Sequence, residues 1–135
     1  MKRLKDILNG FKFEIVQGEI AIEVKNLHFD SRLVSSGDVF IAIQGEIVDG
    51  HDYIQSAIDK GCRCVISEKN IDYKQSDLTQ VVVDDSSVAL ALMASAYFDY
   101  PSKKLNLIGI TGTNGKTITA TLLHDLYSSV GYQCG

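Results

Sequence analysis

The chain has no surplus of positive charge, no long apolar run, one proline and only three cysteines. Thirteen Lys and Arg stand against 17 Asp and Glu, a formal charge of −4. A sequence-independent grip on nucleic acid needs a basic face. The basic residues here are scattered, and the densest group is Lys2, Arg3 and Lys5. Nucleic acid is therefore not an expected partner. That basic start is not followed by the apolar core of a secretion signal, because Asp6, Lys12 and Glu14 interrupt every candidate run. Neither signal peptide nor membrane span is expected, which makes the cytoplasm the default location. Cys62, Cys64 and Cys134 are odd in number and lack the paired C-x-x-C spacing of a zinc site. Cys62 and Cys64 are expected on one face of a strand, as small apolar side chains. His28, His51 and His124 lie far apart in sequence and suggest no metal cluster. Internal repeats and low-complexity stretches are absent as well.

What is present is an average globular composition, with 45% apolar and 22% charged residues. A length of 135 residues allows one ordinary domain, or a small domain plus part of another. Residues 4–8 suggest a short amphipathic helix that stops near Asn9 and Gly10. Strands are expected at 11–16 and 20–27, on either side of a Gln17-Gly18-Glu19 turn, and a buried strand at 39–43. A helix is expected over 53–60, with Ile54, Ala57 and Ile58 on one face and Gly61 as its stop. Strands at 62–66 and 80–83 flank a polar loop at 72–77. Asp85-Ser86-Ser87 can cap a helix over 88–98. Strand, helix, strand, strand, helix argues for a small mixed α/β domain over residues 1–100. Pro101 disfavours continuing the helix, so 101–104 reads as a linker.

The most informative stretch follows. The apolar run at 105–110 reads as a strand. Gly112, Thr113, Asn114, Gly115, Lys116 and Thr117 come next, and then Ile118, Leu122, Leu123, Leu126, Tyr127 and Val130 recur at helical spacing. Strand, glycine loop, Lys-Thr and helix is the context of a phosphate-binding loop. Glycines let backbone N–H groups wrap an anion, and the helix N-terminus adds partial positive charge. Lys116 can reach the outer phosphates of ATP, and Thr117 can offer its hydroxyl to Mg²⁺. The general pattern has a further glycine where this chain has Ile110, leaving G-x-x-G-K-T. The plainer alternative is a tight strand-to-helix turn that happens to contain Lys-Thr. A phosphate-loop strand usually has sheet neighbours on both sides, and only one helix follows here. The chain is therefore expected to be a complete first domain plus the opening of a parallel-sheet ATP-binding domain at 105–135.

The string Gly109-Ile110-Thr111-Gly112-Thr113-Asn114-Gly115-Lys116-Thr117 resembles the phosphate loop of the Mur ligases, ATP-dependent enzymes that add amino acids to the peptidoglycan precursor. The loop alone is shared with MurD, folylpolyglutamate synthetases and cyanophycin synthetase. Upstream, Asp30-Ser31-Arg32, Ser36-Gly37-Asp38-Val39-Phe40-Ile41-Ala42 and Gly45-Glu46-Ile47-Val48-Asp49-Gly50-His51-Asp52 resemble the N-terminal domain of the MurE and MurF branches. Ile118-Thr119-Ala120-Thr121, where MurF commonly has a lysine, favours the MurE branch, as does the segment from Val130 to the end. Ile118 itself stands where the family usually has Thr or Ser.

The resemblance implies roles for residues. Phe29 and Ser31 would contact uridine, Arg32 could meet the diphosphate, and Glu46, Ile47 and Val48 would line the same pocket. Gly112, Thr113, Asn114, Gly115, Lys116, Thr117 and Ile118 would hold ATP, with Lys116 catalytic and Thr117 on Mg²⁺. Read without the family, Asp30-Ser31-Arg32 is a polar turn ending a strand. Asp49-Gly50-His51-Asp52 reads as a turn and helix cap, with His51 structural. The implied reaction is amide formation: ATP phosphorylates the D-glutamate carboxylate of UDP-MurNAc-L-Ala-D-Glu, and a diamino acid, diaminopimelate or L-lysine, attacks the acyl phosphate. The implied partners are these small molecules, handled by a monomer. The alternatives are a MurF-type ligase adding D-Ala-D-Ala, and a nucleotide-binding regulator without ligase chemistry.

Overall fold

The computed structural model describes residues 1–72 and 77–135. These form two compact units, Met1–Lys103 and Lys104–Gly135. In the first, β1 (Lys2–Arg3) and α1 (Leu4–Ile7) precede β2 (Phe13–Gln17), β3 (Glu23–Val24), β4 (Leu27–His28) and β5 (Val39–Ile41). A 3₁₀ turn (Gly50–Tyr53) runs into α2 (Ile54–Asp59), followed by β6 (Cys64–Ser67), β7 (Thr79–Val83) and α3 (Ser86–Tyr97). A five-stranded sheet has the order β2-β7-β6-β5-β4, and β1 pairs with β3 apart from it. β4, β5, β6 and β7 run parallel, while β2 is antiparallel to β7 at the edge.

The short apolar runs are strands buried on both faces. Side chains alternate across a strand, so Val39, Ile41, Cys64 and Ile66 pack in one core with Leu4, Ile7, Ala89, Met93 and Ala96 of α1 and α3. Phe40, Ala42 and Val65 enter a second core with Ile54, Ala57 and Ile58 of α2. The unit is thus three-layered, with helices on both faces of the sheet. α2 stops where Gly61 takes φ +95°, donating its N–H to the Ile58 carbonyl at 2.8 Å. Asp85 caps α3 by accepting the Val88 N–H at 2.9 Å.

Two local expectations in this unit need correction. The strand expected over 20–27 is two strands in different sheets, because the backbone changes partners between them. Lys25 N–H bonds to the Gly37 carbonyl at 3.0 Å, and the Asn26 carbonyl accepts from Val39 at 2.9 Å. Cys62 and Cys64 do not share a face: Cys62 precedes β6 and lies in the α2-side core, whereas Cys64 lies in the opposite one. Burial raises the pKa of both thiols, that of Cys64 well above the ordinary value. The loop expected at 72–77 falls mostly outside the described residues.

The second unit holds one long helix, α4 (Lys116–Ser129). The segment 105–110, expected as a strand, is without regular secondary structure. A strand exists only through a ladder to a neighbour, and none is present for it among the described residues. Leu105, Leu107 and Ile108 remain exposed, Leu107 by 91%.

Candidate functional site

In an open parallel sheet the crevice for a ligand lies beyond the carboxyl ends of the strands. The first unit has a cavity of about 780 Å³ there. Its wall is built from residues just past β4 (Phe29, Asp30, Ser31, Arg32), residues past β5 (Ile43, Gly45, Val48, Gly50), and Tyr53 and Ser56 at the start of α2. Phe40 of β5 forms its floor side. At the opposite, amino ends of the same two strands, buried Asp38 accepts from Asn26 Nδ2 at 2.9 Å and from Ser35 N–H and Oγ at 2.9 and 2.7 Å. Burial alone would raise its pKa, but the bonds from Ser35 and Asn26 outweigh that and hold it below the usual value.

The turn at 29–32 is rigid by construction. Asp30 accepts the Arg32 backbone N–H at 2.9 Å and the Arg32 guanidinium twice, Nε at 2.9 Å and Nη2 at 2.7 Å. This fork lowers the Asp30 carboxyl to about 2. Nη1 of Arg32 makes none of these contacts, and the side chain is 84% exposed, so the guanidinium retains donors for an anionic ligand. Lys60 Nζ donates to the Ser31 carbonyl at 2.9 Å and fixes the same turn from α2's end. Ser31 itself is buried, and its hydroxyl has no hydrogen-bond partner within the described chain. Phe29 stands 64% exposed. An apolar ring, an unengaged hydroxyl and a half-free guanidinium suit a flat polar base carrying a phosphate.

In the second unit Gly115 takes φ +80° immediately before α4 and caps it without a side-chain bond. Gly112 takes φ +148°, a glycine-favouring backbone. The Thr119 N–H is the first to reach back, to the Gly115 carbonyl at 2.9 Å, so those of Lys116, Thr117 and Ile118 point out of the helix start unpaired. Lys116 Nζ folds over the loop and donates to the Gly112 carbonyl at 2.6 Å. The first turn of α4 thus offers backbone donors beside the Lys116 ammonium, groups that an oligophosphate can use. Among the described residues no group of three or more His, Cys, Asp or Glu could hold a metal ion.

The model of the "Mur ligase family, catalytic domain" matches residues 23–98. The UDP-N-acetylmuramoyl-L-alanyl-D-glutamate–2,6-diaminopimelate ligase of Parabacteroides distasonis is 39% identical over 98% of this chain and 27% of its own length. The chain belongs to the Mur ligase family. It spans about a quarter of the length of the curated relatives it matches. Among solved structures, the UDP-N-acetylmuramoylalanyl-D-glutamyl-2,6-diaminopimelate–D-alanyl-D-alanyl ligase of Acinetobacter baumannii matches with TM-score 0.56 and 31% identity, covering 94% of this chain and 27% of that one. The MurF ligase of Thermotoga maritima in complex with ADP matches with TM-score 0.52 and 29% identity, covering 78% and 24%.

Within this Mur ligase chain, Phe29, Ser31, Arg32 and Val48 come together around one cavity, as a shared pocket requires. Glu46 and Ile47 sit in the same loop but do not line it, and Ile47 is 96% exposed. Sequence inspection missed Asp30, Lys60, Tyr53 and Ser56. The i, i+2 spacing of Asp30 and Arg32 carried a signal for the fork, since an Asx turn brings them together. Nothing local marks Lys60, which meets Ser31 across 29 positions.

Proposed function

We propose that the chain supplies the substrate-gripping unit and the phosphate loop of a MurE-type ligase of cytoplasmic peptidoglycan precursor synthesis. In this reading the whole protein uses ATP to join diaminopimelate or L-lysine to UDP-MurNAc-L-Ala-D-Glu. Residues 1–100 hold the uridine diphosphate end, 101–104 link, and 105–135 open the ATP-binding domain. One observation carries it: the cavity beyond two parallel strand ends and the donor-lined glycine loop are separate sites in separate units. A ligase that activates one end of a long nucleotide-sugar substrate needs both. Phe29 would cover the base, Ser31 would hydrogen-bond it, and Arg32 would meet the diphosphate. Val48 would line the same pocket, with Glu46 and Ile47 beside it in the loop.

At the other site Gly112, Thr113, Asn114, Gly115 and the first turn of α4, including Ile118, would cradle the ATP phosphates. Lys116 opposes the charge that develops as the γ-phosphoryl group moves to the substrate carboxylate. The resulting acyl phosphate is attacked by the amine, and phosphate leaves as the amide forms. Mg²⁺, held through Thr117 and the phosphates, would supply further charge neutralisation. The protein acts on small molecules as a monomer.

The likeness to solved MurF ligases favours a second reading, addition of D-Ala-D-Ala. The 39% identity to a diaminopimelate ligase, against 31% and 29% to those structures, favours the first. Calorimetric titration of this chain tests the division of labour. UDP should bind weakly, because its pocket lies within a unit with its own cores. ATP should hardly bind, because 105–115 has no sheet neighbour among the described residues. Tight ATP binding without UDP binding would reverse the assignment. Assay of the whole protein with diaminopimelate, L-lysine and D-Ala-D-Ala decides between the branches.

A further inference from the structure

The loop that walls the cavity is closed at its base. Gly45 N–H bonds to the Val48 carbonyl at 3.0 Å, Gln44 and Asp49 form an antiparallel bridge, and Gly50 N–H bonds to the Ile43 carbonyl at 2.8 Å. A Cβ on Gly50 would lie 2.6 Å from that carbonyl oxygen, so the closure needs glycine. Beyond that closure the tip side chains stand in solvent: Ile47 and Val48 are 96% and 53% exposed. The shape of the wall therefore depends on what fixes Asp49.

Asp49 Oδ1 accepts two bonds from His51, the backbone N–H at 2.9 Å and ring Nδ1 at 2.5 Å. The other ring nitrogen, Nε2, accepts the Glu68 backbone N–H at 3.1 Å, one residue past β6. An accepting Nε2 places the proton on Nδ1, so these partners assign a neutral Nδ1–H tautomer. Glu68 is itself pinned, its Oε1 accepting the Ser86 N–H and hydroxyl at 2.8 and 2.7 Å where α3 begins. The His51 side chain is 5% exposed, so water does not readily replace a lost contact. One imidazole thus ties the loop after β5 to the end of β6 and, through Glu68, to α3. Lys69 approaches Asp49 Oδ2 at 3.4 Å, but its side chain is 58% exposed and it is a loose second anchor.

We propose that His51 is a positioning residue, which acts through Asp49 to hold residues 44–50 in the shape that walls the cavity before any ligand arrives. The ligand side of this inference rests on the uridine reading above; the ordering of the loop does not. A loop ordered in advance spares the ligand that ordering, and apparent affinity falls in proportion to the fraction of molecules with the wall in place.

The test compares the chain with His51→Ala, which removes both ring contacts, and His51→Asn, which keeps a donor near Asp49. Three quantities are measured: the ring ¹⁵N signature, amide hydrogen exchange, and UDP affinity. The wild-type ring should show the Nδ1–H tautomer. In His51→Ala the Gly45 and Gly50 amides should exchange faster, while those of Val65 and Val81 in the sheet keep their protection. UDP affinity should drop about tenfold if the ordered fraction falls to about one tenth, with His51→Asn in between. An Nε2–H tautomer, unchanged exchange at Gly45 and Gly50, or equal loosening of the whole sheet in both variants would overturn the proposal. Should the wild type not bind UDP while His51→Ala still frees the loop, the uridine reading fails and the positioning role stands. Should UDP bind the wild type and His51→Ala equally with the loop intact, the positioning role fails and the uridine reading stands.

Discussion

Replacing Ser31 by Ala separates binding from stability. The residue lies in the turn past β4, buried, with its carbonyl held by Lys60 at 2.9 Å and its hydroxyl unpartnered within the described chain. Deleting that oxygen breaks no internal hydrogen bond and leaves the Lys60 contact, which uses only the backbone. Stability should change by less than about 0.5 kcal/mol, under about 4 °C in Tm for a unit of this size. The loss should appear only with ligand. A neutral hydrogen bond contributes about 0.5–1.5 kcal/mol, which is about a two- to thirteen-fold rise in Kd. Thermal melting and UDP calorimetry on wild type and Ser31→Ala measure both quantities. In the whole enzyme, KM for the nucleotide-sugar substrate should rise while KM for ATP holds. A several-degree loss of Tm would mean that the hydroxyl serves the fold. Unchanged UDP affinity, or lost ATP affinity, would remove Ser31 from the uridine site.

Lys116→Ala in the whole protein should lower ligase turnover about 10²–10³-fold; turnover near wild type would refute its phosphate role. Asp49 and Asp30 are both held at about 2, Asp49 chiefly by the His51 backbone N–H and Asp30 chiefly by the Arg32 side chain, against an ordinary 3.8. A carboxylate lowered on folding stabilises above its unfolded pKa and loses that contribution as pH falls through the folded one. Melting temperature should therefore decline between pH 3.8 and about 2, less steeply in Asp49→Asn, and an identical slope in the variant would contradict the assignment. Met93→Ala, at a fully buried position on the sheet-facing side of α3, should cost about 2–5 kcal/mol by chemical denaturation.

The local grammar of this chain is legible without coordinates. Gly61 and Asp85 bound their helices because a left-handed stop and a carboxylate cap act within a few residues. The runs at 39–43 and 80–83 declare buried strands through their side chains alone, and the spacing of Gly112, Gly115 and Lys116 before a helical pattern is the basis on which a phosphate loop is proposed. Tertiary structure decided what depends on partners distant in sequence. The 20–27 run splits because residues 25 and 26 meet Gly37 and Val39. Cys62 and Cys64 separate because β6 begins only at Cys64. The 105–110 run lacks a ladder because a strand cannot satisfy its own backbone. The cavity exists because parallel pairing of β4 with β5 brings their carboxyl ends side by side. Lys60 and His51 join it through bonds across 29 and 17 positions. Periodicity and capping are short-range and written locally, whereas sheet order and the convergence of loops follow from long-range pairing.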